Sequence, residues 1–227
     1  MVIVGGIEQE TTLSLVNETF SEFSVRSECP TVVIESEPPA IAISRLELYL
    51  PRIEQARLFM AWVCPGSANL TEAIALDLIG LILSRGRSSG LVRELREERQ
   101  LVLDIDSDIS LQKDSSLFTI NVWLETEHLA KVETIIGDRL FQLQSTEIPE
   151  TAIARAKRQL INNYIFSTET PSQLAGLYGF YQTVATAQQS SLYPQIVNQL
   201  PADQLQAIAS RYLSPERYAV TVLKPRQ

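Results

Sequence analysis

Histidine is almost missing from this sequence: His128 is its single occurrence in 227 residues. One imidazole excludes any site within the chain that needs two, such as a paired-imidazole zinc centre. It also leaves a Ser-His-Asp triad nothing but His128 to use, and no G-x-S-x-G nucleophile elbow accompanies it. A G-x-x-x-x-G-K phosphate loop is absent too; G-R-S-S-G at 86–90 is too short and has no lysine. Cysteine is scarce, with only Cys29 and Cys64, which fits a cytoplasmic or other reducing compartment. Cys64 closes an apolar stretch and reads as a small core residue; a disulfide to Cys29 is left open. No apolar run approaches the roughly 20 residues that cross a bilayer. The N-terminal M-V-I-V-G-G lacks the basic region and cleavage site of a signal peptide. Basic residues are outnumbered 19 to 27, for a net charge of −8, and are scattered. Neither a nucleic acid nor an anionic membrane is therefore an expected partner, although an acidic wall for basic peptides is compatible with that balance.

What remains is an ordinary globular composition, 45% hydrophobic and 20% charged, in a chain long enough for one large or two small domains. Val2–Val4 reads as a short strand broken by Gly5 and Gly6, followed by a helix over about 8–23 with Leu13, Val16 and Phe20 on one stripe. Residues 24–40 form a proline-marked linker, with a strand at 31–35 inside it. A strand over 40–50 is expected to bury Ile41, Ile43 and Leu46. The run at 57–64 is almost continuously apolar, as a central strand would be. A helix over 70–83 is apolar on most sides and so buried. Strands follow at 101–109 and 117–124, then helices over about 127–143, 150–166, 172–187 and 201–213, then a last strand at 218–223. In the third helix block Leu129, Val132, Ile136, Leu140 and Leu143 share one face. This order predicts an α+β fold: an antiparallel-rich mixed sheet with helices packed on one face.

Two acidic segments invite a metal reading and do not support one. D-I-D-S-D at 104–108 lacks the glycine and distal glutamate of a calcium loop, and alternation puts its aspartates on the solvated face of a strand. E-T-E-H at 125–128 sets Glu125 and Glu127 near His128, but a histidine in the first turn of an amphipathic helix reads as surface.

The stretch 84–105, S-R-G-R-S-S-G-L-V-R-E-L-R-E-E-R-Q-L-V-L-D-I, carries the most information. Gly86 ends the apolar helix with a positive φ. Ser88 and Ser89 are placed to cap a second, charged helix. In it Leu91, Val92 and Leu95 point one way, and Arg93, Glu94, Glu97 and Glu98 the other. The stretch closely resembles a motif of the insulinase (pitrilysin) superfamily of zinc peptidases, which includes the mitochondrial processing peptidases. The resemblance rests on the turn Gly86-Arg87-Ser88-Ser89 and on Leu91, Leu95 and Arg96. Further on, the family's Glu-Leu-x-x-Ala-Lys helix becomes Ala152-Ile153-Ala154-Arg155-Ala156-Lys157, without the glutamate. In the family a tyrosine stands seven residues after the arginine; here that position is Leu103.

The resemblance implies that residues 1–26 are the tail of a preceding homologous domain, and that 27–227 form the C-terminal, non-catalytic domain. The strand and glycines at 2–6 have a short counterpart in S-P-E-R-Y-A-V-T-V-L-K-P at 214–225, a weak internal repeat. It also implies a substrate-binding role for Arg96, whose expected partner tyrosine is replaced by Leu103. No catalytic residue or metal ligand falls in this chain; zinc belongs to a His-x-x-Glu-His site on a missing or partner catalytic domain. Three readings follow. One is the chamber-forming, non-catalytic half of an insulinase-type peptidase, partnered by peptide substrate and a catalytic half-domain or subunit. Another is an inactive pseudo-peptidase subunit serving binding or assembly, with a homodimer among its arrangements. The third is a free-standing peptide-binding module that takes a strand at its sheet edge.

Overall fold

A computed structural model describes residues 1–23, 38–86 and 89–226; the expected strand at 31–35, Cys29, Arg87 and Ser88 lie outside them. The described elements are α1 (Gln9–Thr19), β1 (Ser44–Leu50), β2 (Ala56–Pro65), α2 (Leu70–Leu83), a π-helix (Val92–Glu98), β3 (Asp104–Ser110), β4 (Ser115–Leu124), α3 (Leu129–Ser145), α4 (Glu150–Phe166), α5 (Pro171–Val184), α6 (Ala187–Ser191), α7 (Tyr193–Gln199), α8 (Ala202–Tyr212) and β5 (Ala219–Pro225). The strands form one sheet in the order β1-β5-β2-β4-β3. Among the described strands only β1 and β5 run parallel; every other pairing is antiparallel. This is the α+β, antiparallel-rich mixed sheet expected from the sequence.

β2 is central because it can be apolar on both faces. Ala56, Leu58, Met60, Trp62 and Cys64 are buried against the helices, while the alternate residues are half-exposed. Trp62 donates its indole N–H to the Ser214 carbonyl at 2.8 Å and packs on Phe118 and Tyr218. α2 lies over this face with ten of its fourteen residues buried, and α4, α7 and α8 pack on its far side. α3 buries the five expected residues, Leu129, Val132, Ile136, Leu140 and Leu143.

Several local expectations are overturned. Residues 1–4 form no strand. β1 starts at Ser44, and Ile41, Ile43 and Leu46 are exposed, because β1 is the edge strand and is exposed along its whole length. The expected 172–187 helix ends at Val184, and two short helices, α6 and α7, follow. Thr170 and Thr186 start α5 and α6 through capping boxes with Gln173 and Gln189.

The register sorts the strand residues onto two faces. Val220 and Val222 of β5 are buried with Leu58 and Met60 toward the helices. On the opposite face, rows run across all five strands: Leu46, Thr221, Phe59, Asn121, Asp106, and then Leu48, Leu223, Arg57, Trp123, Asp104. These residues are half-exposed or exposed. α1 buries no residue at all.

Two outcomes are expected. Leu78, fully buried at the centre of α2, should cost about 2–5 kcal/mol when cut to alanine, measured by urea unfolding; less than about 1 kcal/mol would mean that α2 is not the core helix described. Burial pushes the Cys64 thiol up to about 12, so at pH 8 Cys64 of a Cys29→Ser variant should resist, in the native state, a thiol reagent that labels the unfolded variant fully.

Candidate functional site

The described residues of the 84–105 stretch are set by local hydrogen bonds and two residues of positive φ. Gly86 adopts φ 105°, the positive value expected of it, two residues past the end-cap of α2. Ser89 does not cap the next helix with its oxygen. Its hydroxyl instead donates back to the Gly86 carbonyl at 2.6 Å, tightening the turn. The charged helix that follows is a π-helix, its wide turns closed by bonds such as Arg99 N–H to Glu94 O at 3.0 Å. Gln100, at φ 50°, ends it in the left-handed region, and Leu101 N–H returns to the Leu95 carbonyl at 2.8 Å. The extra width of this helix and the twist at Gln100 aim the chain into β3.

Leu91, Val92 and Leu95 are buried as expected. Glu94 is not on the solvated side: it is 9% exposed, held by Arg99 at 2.8 Å and by Arg139 of α3 at 2.6 Å. Two guanidiniums offset the cost of burying this carboxylate, and they fix the π-helix to α3. That partner is 45 residues away, so no local spacing announces it.

Arg96 lies on the outside, its side chain 33% exposed. Its Nη1 bonds Asp104 at the start of β3 at 3.1 Å, and Nη2 bonds neighbouring Glu97 at 3.1 Å. Neither acid is the i+3 or i+4 partner that a surface helix offers by default. Leu103 is 49% exposed, and its backbone N–H donates to the Trp123 carbonyl at 2.7 Å. Its side chain carries no group that could assist Arg96. Asp104 faces Trp123 in the register, and Trp123 lies under the Arg57 guanidinium at 5.6 Å. Arg96 therefore sits at the end of the Leu48–Leu223–Arg57–Trp123–Asp104 row, at the acidic border of the half-exposed sheet face.

His128 is partly withdrawn from solvent, with Nδ1 3.1 Å from the Leu101 carbonyl and Nε2 3.6 Å from Glu127. It braces the loop into β3. Among the described residues no group of three His, Cys, Asp or Glu could hold a metal ion. A family zinc does not fit the residues of this chain, since one imidazole cannot supply the paired-histidine ligand set.

The sequence matches the family described as the Peptidase M16 inactive domain over residues 1–160. The chain belongs to that family. An uncharacterized zinc protease of Mycobacterium tuberculosis is 25% identical over 228 residues, covering 97% of this chain and 50% of the relative. A protease from Helicobacter pylori has the same fold, with a TM-score of 0.86, 21% identity, and coverage of 98% of this chain and 54% of that one. The peptidase M16 inactive domain from Pseudomonas fluorescens superposes with a TM-score of 0.79 at 18% identity, over 98% of this chain and 53% of that one. The chain spans about half the length of the curated relatives it matches. This inactive domain is the non-catalytic half that the 84–105 motif implied. No described helix is long and apolar enough to cross a membrane.

Glu94 and Arg96 sit two residues apart, yet they should behave differently. Glu94→Gln, which weakens two charged bonds at a buried site, should destabilise by about 1–3 kcal/mol. Arg96→Ala, which breaks exposed pairs, should cost less than about 1 kcal/mol. Equal losses in urea unfolding would refute this division between structural and exposed charge.

Proposed function

We propose that this M16 inactive domain is one wall of a peptide chamber, completed by a zinc-bearing catalytic half on the same polypeptide or on a partner subunit. The observation that carries the reading is the position of Arg96 at the edge of a sheet face that no layer of described helices buries. That face is apolar toward β1 and β5, at Leu46, Leu48 and Leu223, and acidic along β3 at Asp104 and Asp106. An unfolded peptide with apolar and basic residues is the matching substrate. Arg96 is the residue proposed to hold it: a planar guanidinium suits a backbone carbonyl. Its present partners are exposed, so the exchange costs little. By this reading residues 1–26 close the preceding domain and 27–227 form the C-terminal, non-catalytic domain.

Leu103 favours a second reading. Where the family pairs the arginine with tyrosine, a leucine offers no hydrogen bond, as in a pseudo-peptidase subunit kept for binding or assembly. The sequence encoded upstream separates the two: His-x-x-Glu-His there supports the active enzyme, and a first domain without it supports the pseudo-peptidase.

In either case the purified chain alone should bind no stoichiometric zinc and hydrolyse no peptide; metal analysis with turnover of an unstructured peptide library would overturn this. In the complete assembly, Arg96→Ala should weaken peptide binding roughly tenfold or more, as loss of a charged hydrogen bond does, with Tm nearly unchanged. Leu103→Tyr should strengthen binding only while Arg96 is present. Loss of Tm without loss of binding in Arg96→Ala would leave the arginine a structural residue.

A further inference from the structure

Among the helices a cavity opens where the C-terminal ends of α2 and α3 meet the start of the π-helix and the start of α4. It encloses about 460 Å³, within the roughly 300–1,000 Å³ of small-ligand pockets. Its floor is apolar, from Ile82, Leu143 and Ile148, and its rim is basic.

Of the described residues that line it three are arginines, each from a different element: Arg93 of the π-helix, Arg139 of α3 and Arg155 of α4. Against them stands one acid, the exposed Glu147. In a chain of net charge −8, this reverses the local sign. The guanidiniums differ in what they still offer. Arg139 gives Nε and Nη2 to Glu94 and Nη1 to Gln142. These bonds leave two of the five N–H donors of a guanidinium, and the buried Glu94 holds the group in orientation. Arg93 makes a loose ion pair, Nε to Glu98 at 3.2 Å, between side chains that are 62% and 58% exposed. Such a pair has little net strength in water, so an incoming anion can displace it. Arg155 adds its charge beside them, whatever its own partner.

A cation would be repelled by these guanidiniums. A wholly apolar ligand would cover their charge without answering it, and a bare phosphate would leave the apolar floor in water. Planar guanidiniums fit a carboxylate two bonds at a time. We propose that this cavity binds a carboxylate carried on an apolar body. The carboxylate takes N–H bonds from Arg93 and Arg139, and the body packs on Ile82, Leu143 and Ile148. The C-terminal residue of a peptide and a free short-chain acid both present that chemistry. The site does not rest on the chamber reading, because neither Arg96 nor the open sheet face lines it.

The test is an NMR titration of the chain with N-acetyl-leucine. Saturable binding is expected on the order of 1 mM for a ligand this small, with shifts at the end of α3 and the start of α4 that weaken as salt is raised. N-acetyl-leucinamide, which lacks the carboxylate, and acetate, which lacks the body, should each bind roughly tenfold more weakly or not at all. Arg93→Gln should weaken N-acetyl-leucine roughly three- to tenfold, and Glu98→Gln, which frees Arg93, should strengthen it. Both side chains are mostly exposed, so both variants report on folded protein. Binding of 4-methylpentanoate as tight as that of N-acetyl-leucine would support the site and assign it to free acids; weaker binding would support it and assign it to a peptide end. Absence of saturable binding, equal binding of the leucinamide, of acetate or of inorganic phosphate, or affinity unchanged in Arg93→Gln would overturn the proposal.

Discussion

A hydrogen bond from Ser107 Oγ to the Gly80 carbonyl, 3.0 Å long, ties the last turn of α2 to the edge strand β3. It depends on residue 80 having no side chain: a Cβ there would lie 3.0 Å from Ser107 Oγ and 3.1 Å from Arg85 Nη2. Ser84 Oγ donates to the same Ser107 hydroxyl at 2.7 Å, so the C-terminal turn of α2 is fixed to β3 twice. From this follow the outward course of the chain at Gly86, the start of the π-helix, and the height at which Arg96 meets Asp104. On its other side α2 supports α4, α7 and α8. A buried contact that no substrate touches therefore sets the position of the residue proposed to hold one.

The sequence was most legible where burial is one-sided or complete over many residues. α2, α3 and β2 were read nearly to their ends because long apolar patterns leave few alternatives. β1 was misread for the same reason in reverse. Its apolar residues imply burial, but β5 arrives from the far end of the chain to fill the place between β1 and β2, leaving β1 outermost. Glu94 was placed on the solvated face because helical periodicity puts it there. The wider turn of a π-helix and two distant arginines draw it inward. The motif itself was legible as a resemblance, through Gly86, Leu95 and Arg96. What Arg96 touches was not, because Asp104 and Glu97 become its partners only once Gln100 has turned the chain back.

Arg96 and Glu94 show how one short helix can hold two kinds of charge. The bonds of Glu94 are shielded and reach α3, so they hold the helix in place whether or not any ligand is bound. Those of Arg96 lie in water, where screening and side-chain entropy leave them little net strength. A guanidinium held this loosely is oriented by its neighbours without being committed to them, and a peptide carbonyl can take their place. The leucine at position 103 alters this balance on one side only, since Arg96 keeps its donors whatever residue follows.

The outer strand makes the case for a second body. β1 ends the sheet, and Leu46, Leu48 and Leu50 point from one of its faces with exposures of 53%, 41% and 36%, continuous in register with Leu223. On the other face Arg45 reaches Glu133 and Lys224 reaches Glu47, so charge guards the helical side and leaves the leucine side bare. Proteins rarely leave an edge strand and an apolar stripe open together, because both invite adventitious pairing. The added burial of three leucines, about 1.5–3 kcal/mol each at full cover, would reward a neighbour seated across this face. The chain spans about half of its curated relatives, and the proposed chamber seats a second half across this face. A surface half completed is what one wall of an enclosed chamber has to present.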